Sequence, residues 1–162
     1  MELKIRNGRL EDIEACFILE GKTFPEEEAA CKENIEIRLR KFSEGFIVGE
    51  LDGEIVAHIN SGSTNQEDIT DEEFKGLIGH EHGGKNIVVF SVAVDPVHQK
   101  KGIAKIMMKE FVEISKKMGK EKVLLLCKEN LMGMYERMGY KKIGISASTH
   151  GGAVWYEMEQ AL

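Results

Sequence analysis

The sequence predicts an α/β fold of the three-layer α+β kind, in which a mixed, mostly antiparallel sheet is built around one central parallel βαβ unit. Three observations predict it. Residues 87–94, IVVFSVAV, and 122–127, KVLLLC, are apolar runs of strand length, and the amphipathic stretch 102–118 between them is long enough for a crossover, so the two strands are parallel neighbours. Asp52-Gly53 splits FIVGELDGEIVAHINSG, residues 46–62, into two apolar runs, a strong hairpin signal. Segments 140–148 and 153–159 are patterned as a last antiparallel pair joined around His150-Gly151-Gly152.

Taken in order, LKIRN (3–7) alternates as a short half-buried strand and breaks at Gly8. Leu10, Ile13, Phe17 and Phe24 keep a helical period, and Pro25 followed by Glu26 to Glu28 predicts a stop and a fresh helix start. That second helix is expected to bury Cys31, Ile35, the stem of Arg38, Leu39 and Phe42 and to end near Gly45. After the hairpin, residues 63–86 are polar, with a short helix expected near Asp71 to Leu77 and a mobile HEHGGK stretch. The helix over 102–118 closes with Lys116, Lys117 and Gly119, and a short helix over Leu131 to Met138 closes at Gly139. A right-handed crossover places the C-terminal ends of the two parallel strands at one crevice.

Composition narrows the function. A length of 162 residues, 42% hydrophobic and 31% charged, predicts one folded domain over 1–162 and excludes intrinsic disorder. The formal charge of −6 supplies no field toward a phosphate backbone, so nucleic acid is not an expected partner. No run reaches the ~18 to 20 apolar residues of a membrane span, and MELKIRNGRLEDIEACF lacks the apolar core of a signal peptide. The expectation is a soluble cytoplasmic protein. Cys16, Cys31 and Cys127 form no CxxC pair and are expected to be buried free thiols, with no metal bound.

The segment VAVDPVHQKKGIAKIMM is the most informative. A strand ends at Val94, and a turn containing Gln99-Lys100-Lys101-Gly102-Ile103-Ala104 opens the long helix. The first amides of a helix lack internal acceptors and carry the positive end of its dipole, so a Gly/Ala-rich entrance lets phosphate oxygens approach them. The six residues alone also fit a capped helix with solvated lysines.

In its surroundings this turn resembles the phosphate loop of the GNAT (Gcn5-related N-acetyltransferase) superfamily, Gln/Arg-x-x-Gly-x-Gly/Ala after the fourth strand. The likeness extends through the early helices around Pro25, the Asp52-Gly53 hairpin, the βαβ unit and Tyr-Glu-Arg-Met-Gly-Tyr at 135–140. Within the superfamily the chain resembles the arylalkylamine N-acetyltransferase-like branch at Thr23-Phe24-Pro25-Glu26-Glu27-Glu28, Leu126-Cys127-Lys128-Glu129-Asn130-Leu131, and Ser146 to Met158.

The resemblance implies a sheet splayed between its parallel strands to hold acetyl-coenzyme A, the acetyl donor. It places the pyrophosphate on Gln99, Lys100, Lys101, Gly102, Ile103 and Ala104. The pantetheine arm falls along Val92, Ala93 and Val94, with Asn130 and Tyr135 across the gap. The Val92 amide would face the acetyl carbonyl, where a preset donor stabilises an oxyanion. Tyr135 occupies the position of the tyrosine that protonates the departing thiolate, and a phenol of ordinary pKa is protonated at neutral pH. On its own, Tyr135 also fits an aromatic on the packed face of a short helix.

The base is placed by the same resemblance. The two strand histidines of the vertebrate arylalkylamine enzymes correspond to Val88 and Phe90, which cannot take a proton. Insect dopamine-acetylating relatives place a glutamate four residues after a phenylalanine, as Glu28 follows Phe24. Glu28 is therefore the expected base, with a solvated first-turn acid as the alternative, and Phe24, Pro25, Glu28 and His150 are the expected acceptor-side residues.

Other motifs are weaker. Gly79 to Asn86 nearly spells a Walker A loop, but Asn86 replaces the Ser/Thr and a strand follows where a helix is needed. His80 and His82 lack a third ligand for a metal, and His58 in an apolar strand is expected to be a satisfied core histidine.

The reading is an N-acetyltransferase moving acetyl to a primary amine by direct attack. The alternative is a catalytically silent acyl-coenzyme A-binding module that recruits or senses. A nucleotide hydrolase built on 79–86 is disfavoured by the same residues. The acceptor is expected to be a small-molecule amine, with polyamine, aromatic amine, amino acid and protein terminus all open. A monomer or a homodimer supported by the strand pair around Trp155 and Tyr156 is expected.

Overall fold

Seven strands form one sheet in the order β1-β2-β3-β4-β5-β7-β6 in the computed structural model, which describes residues 2–162. In chain order the elements are β1 (Lys4–Asn7), α1 (Ile13–Thr23), α2 (Lys32–Lys41), β2 (Ile47–Leu51), β3 (Glu54–Thr64), β4 (Asn86–Val94), α3 (Ile103–Lys117), β5 (Lys122–Cys127), α4 (Glu129–Arg137), β6 (Lys141–Ile145) and β7 (Tyr156–Ala161). Only β4 and β5 pair in parallel, as the apolar runs require; the other neighbours are antiparallel.

Neighbouring residues of a strand face opposite sides of the sheet, and the core divides accordingly. Ile47 and Ile59 pack with Met107 and Phe111 of α3, whereas Val48 packs with Cys16, Ile35 and Leu39 of α1 and α2. Helices therefore cover both faces, giving three layers. Alternation breaks in β4, where the register passes from Asn60↔Ser91 to Ser61↔Val89 and leaves Phe90 as an extra residue. Such a bulge bends a strand and raises its local twist.

Several expectations change. The buried stripe of α1 holds Cys16, Leu19 and Glu20, with Asp12 buried at its cap, while Leu10 and Phe17 are exposed. Glu26 to Glu28 form a turn, with Glu28 N donating to Pro25 O (2.9 Å), and α2 starts only at Lys32. The delay has a cause: Ala30 N donates to Glu20 Oε2 (2.9 Å), which draws the connecting segment over α1. Cys31 is consequently an exposed cap residue and not a core thiol, while Cys16 and Cys127 are buried and all three are free.

The HEHGGK stretch is pinned. Buried Lys120 donates to Ser63 Oγ (2.7 Å), His82 O (2.9 Å) and Gly84 O (2.6 Å), and His80 Nδ1 accepts from Ser63 N (2.9 Å). Arg38 is buried whole, not only by its stem. Trp155 lines a central cavity and donates from Nε1 to His150 O (2.9 Å). No helix among the described residues is long and apolar enough to cross a membrane.

A partly buried ion pair ties β1 to the start of α1. The Arg6 guanidinium grips both Asp12 oxygens (2.7 and 3.0 Å), and Arg9 N donates to Oδ2 (2.7 Å). Burial raises the Asp12 carboxyl, but Arg6 and the Arg9 amide outweigh it and hold the group below its usual value. A folded-state depression stabilises the protein above the unfolded carboxyl pKa of ~4 and is lost as pH falls through the folded value. Asp12→Asn should therefore cost about 2 kcal/mol near neutrality, roughly 6 °C of melting temperature. Thermal melts from pH 7 downward should show the difference from wild type closing below pH ~4.

Candidate active site

The parallel ladder stops early. β4 and β5 pair from Asn86↔Lys122 to Val89↔Leu125, yet β4 continues to Val94 bonded to β3, and β5 continues to Cys127 bonded to β7. Residues 90–94 of β4 thus have a strand partner on one edge only, beginning at the Phe90 bulge. Into this opening runs a cavity of about 990 Å³.

One end of the cavity is the entrance to α3. Gly102 caps the helix with left-handed backbone (φ 83°), no side chain bonds the cap, and a Cβ at Gly102 would meet nothing within 4 Å. Lys100 is also left-handed (φ 62°), an arrangement that a lysine adopts only under constraint. Gln99 Nε2 fastens the turn to the end of β4 through Val94 O (3.1 Å). The leading amides of a 15-residue helix therefore face open space, the environment that suits a phosphate.

The expected residues largely converge. Gln99, Lys100, Gly102, Ile103 and Ala104 line the cavity at this end, and Val92, Val94, Asn130 and Tyr135 line its middle. Phe24, Pro25, Glu28 and His150 line the other end. Two do not take part in the lining: Ala93 is fully buried, and Lys101 is exposed beside the turn. The donor segment thus offers a diphosphate a cradle and a linear chain a slot with a free strand edge, so the residues present fit acetyl-coenzyme A.

Tyr135 lies on α4 across the gap from β4, 6% exposed, with its ring edge-on to Tyr140 at 5.6 Å. Burial, and then Cys127, push its hydroxyl well above the usual phenol range, so it holds its proton at any working pH. At the acceptor end, Glu28 Oε2 accepts from Lys128 Nζ (2.8 Å), and its main-chain oxygen faces His150 Nε2 (3.0 Å). His150 Nδ1 lies 2.8 Å from Glu72. Phe24, Phe74, Phe90 and Trp155 supply aromatic walls there.

Sequence reasoning missed a polar cluster beneath this end. Glu20 from α1, Arg38 from α2, His58 and Asn60 from β3, and Ser91 from β4 are all nearly or fully buried, and Glu20, Arg38 and Ser91 line the cavity. The signals were present. Glu20 and Arg38 sit within otherwise apolar stripes, and His58 and Asn60 share one face of an apolar strand. His58 is not a fully satisfied core residue, since its Nε2 is buried without a hydrogen-bond partner.

Glucosamine 6-phosphate N-acetyltransferase of Schizosaccharomyces pombe is 32% identical over 71 residues, which are 44% of this chain. The match spans 57% of that protein's length. Among solved structures, the loading GNATL domain of CurA from Lyngbya majuscula superposes with a TM-score of 0.90 at 16% identity, covering 99% of this chain and 98% of that one. The GphF GNAT-like decarboxylase in complex with isobutyryl-CoA gives 0.86 at 15% identity, covering 98% of each. At such identities the two structures establish the fold, a mixed α/β open sheet of seven strands with four helices. A family-model match over residues 10–140 takes in everything from the start of α1 to the far wall of the slot, and on it the chain belongs to the Acetyltransferase (GNAT) family.

Proposed function

We propose that the chain transfers the acetyl group of acetyl-coenzyme A to a primary amine, by direct attack and without an acyl-enzyme intermediate. The observation that carries this reading is the early end of the β4–β5 ladder, which leaves a slot leading to the uncapped start of α3. Acetyl-coenzyme A would supply the activated acyl group, held by the amides of the 99–104 turn and along the free edge of β4. The Val92 main chain lies on that edge and is the donor for the developing oxyanion. Tyr135 is the proton source for the leaving sulfur.

The acceptor end favours a cation with an apolar body. Glu20, Glu28, Asp71 and Glu72 line it together with Arg38, Lys75 and Lys128 beside the four aromatic rings, and it is the aromatic faces that attract an ammonium group. This supports an arylalkylamine, in keeping with the branch resemblance at 23–28 and 126–131. Glu28 already engages its charge with Lys128, which suits it to guiding the ammonium and closing the wall more than to accepting a proton.

A panel of amines assayed for thiol release from acetyl-coenzyme A tests the reading, with phenylethylamine-type acceptors expected to be turned over faster than amino acids or peptides. Retained coenzyme A binding with no thiol release for any amine would overturn it in favour of a silent acyl-coenzyme A-binding module.

A further inference from the structure

We propose that Glu20 is the proton acceptor for the bound ammonium, reached through the hydroxyl of Ser91, held in place by the Ala30 amide and backed by the buried polar set of His58, Asn60 and Arg38. The inference rests on the acetyl-transfer reading and deepens it.

The set can be followed atom by atom. Arg38 Nη1 donates to Asn60 Oδ1 (3.0 Å), which fixes the amide so that Asn60 Nδ2 faces His58 Nδ1 (3.2 Å). His58 Nδ1 must then accept, so the neutral ring carries its proton on Nε2. That nitrogen lies 3.6 Å from Glu20 Oε1, too far for a hydrogen bond, and both atoms are buried without a hydrogen-bond partner. Glu20 Oε2 accepts from Ala30 N (2.9 Å) and from Ser91 Oγ (3.1 Å). Arg38 is itself fixed by Lys75 O (3.0 Å) and by the Phe90 ring, 4.5 Å from its guanidinium. Glu20 also offsets the charge of the buried Arg38 guanidinium, and one of its carboxylate oxygens is left unsatisfied against the wall of the cavity.

Ser91 supplies the route. It lines the cavity and immediately precedes Val92 on the free edge of β4, so a group near the oxyanion donor is near this hydroxyl. As an ammonium N–H bond breaks, its proton joins Ser91 Oγ while the former Ser91 proton joins Glu20 Oε2, leaving the amine neutral with its lone pair free. Two protons leave the nitrogen over one cycle. The first rests on Glu20 and passes to water after the product departs; the second, released after attack, replaces the one that Tyr135 gives to sulfur.

The surroundings suit that exchange. Burial raises the Glu20 carboxyl, opposed by the Ala30 amide, Arg38 of α2, Ser91 of β4 and His150 of the 150–152 turn. Burial, with Arg38 second, lowers His58 of β3 to about 3, so it stays neutral and adds no competing charge.

The test uses 2-phenylethylamine and its less basic 2,2-difluoro analogue with wild type, Glu20→Gln and Ser91→Ala, together with coenzyme A calorimetry and thermal melts. Glu20→Gln should lower kcat/KM for phenylethylamine about 100-fold at neutral pH, with coenzyme A affinity kept. The loss should shrink toward unity for the difluoro amine and as pH rises, because a neutral acceptor needs no base. Ser91→Ala should show the same dependence with a smaller loss, and it decides the matter if Glu20→Gln does not fold. An active wild type whose Glu20→Gln loss is absent, or equal for both amines at every pH, overturns the proposal alone. A wild type inactive on both amines overturns the arylalkylamine reading of the acceptor end and the proposal with it.

Discussion

Tyr135→Phe is expected to lower kcat about 100-fold while leaving coenzyme A affinity within about twofold of wild type. The substitution removes one oxygen and keeps the ring against Tyr140, so packing is nearly unchanged. What is lost is a proton held at the far side of the slot by a residue that burial keeps neutral. Without it the leaving thiolate must take its proton from water. Steady-state kinetics with calorimetry on the same preparation check the split. A fall in affinity without a fall in kcat would make Tyr135 a wall of the slot. An unchanged rate would assign the proton to another group.

Gly102→Glu should weaken coenzyme A binding about 100-fold, the equivalent of about 2.7 kcal/mol. Two effects combine. A side chain with φ near 83° costs about 1–2 kcal/mol of backbone strain, and the new carboxylate would stand where phosphate oxygens must approach the helix amides. Nothing of the protein lies within 4 Å of the added Cβ, so the effect on folding should be limited to the strain, about 3 to 6 °C in a thermal melt. Gly102→Ala carries the strain without the charge, and the difference between the two affinities isolates the electrostatic share. This variant should fail in a sensor as in an enzyme, whereas Tyr135→Phe distinguishes the two.

The donor half of the site was legible because it is contiguous. One apolar strand, one glycine-bearing turn and one amphipathic helix follow one another in residues 86–117, and each announces itself by local chemistry. The hairpin at Asp52-Gly53 and the parallel pair were legible for the same reason. The acceptor half was not, because its polar groups violate the rule that locates a core. Leu10 and Phe17 read as the inner face of α1 by hydrophobicity, yet the inner face is Cys16, Leu19 and Glu20. It packs over His58 and Ser91, which form a polar floor and not an apolar one. Arg38 was read as a stem with a solvated head, since nothing in the helix pattern reveals the Asn60 and Phe90 side chains that the sheet presents to it. The late start of α2 depends on a hydrogen bond from Ala30 to a carboxylate ten residues earlier, a contact that propensity does not encode.

The two halves also differ in how freely they can change. The strand and turn proposed to hold the donor come from one contiguous stretch, whereas the opposite chamber is lined by the 24–31 connector, the 69–75 turn and the 150–155 turn. Substitutions in those surface connectors can remodel the chamber without disturbing the grip on the donor. A library confined to them should therefore yield altered amine preference at constant coenzyme A affinity, and the scaffold would serve as a common engine for many acceptors.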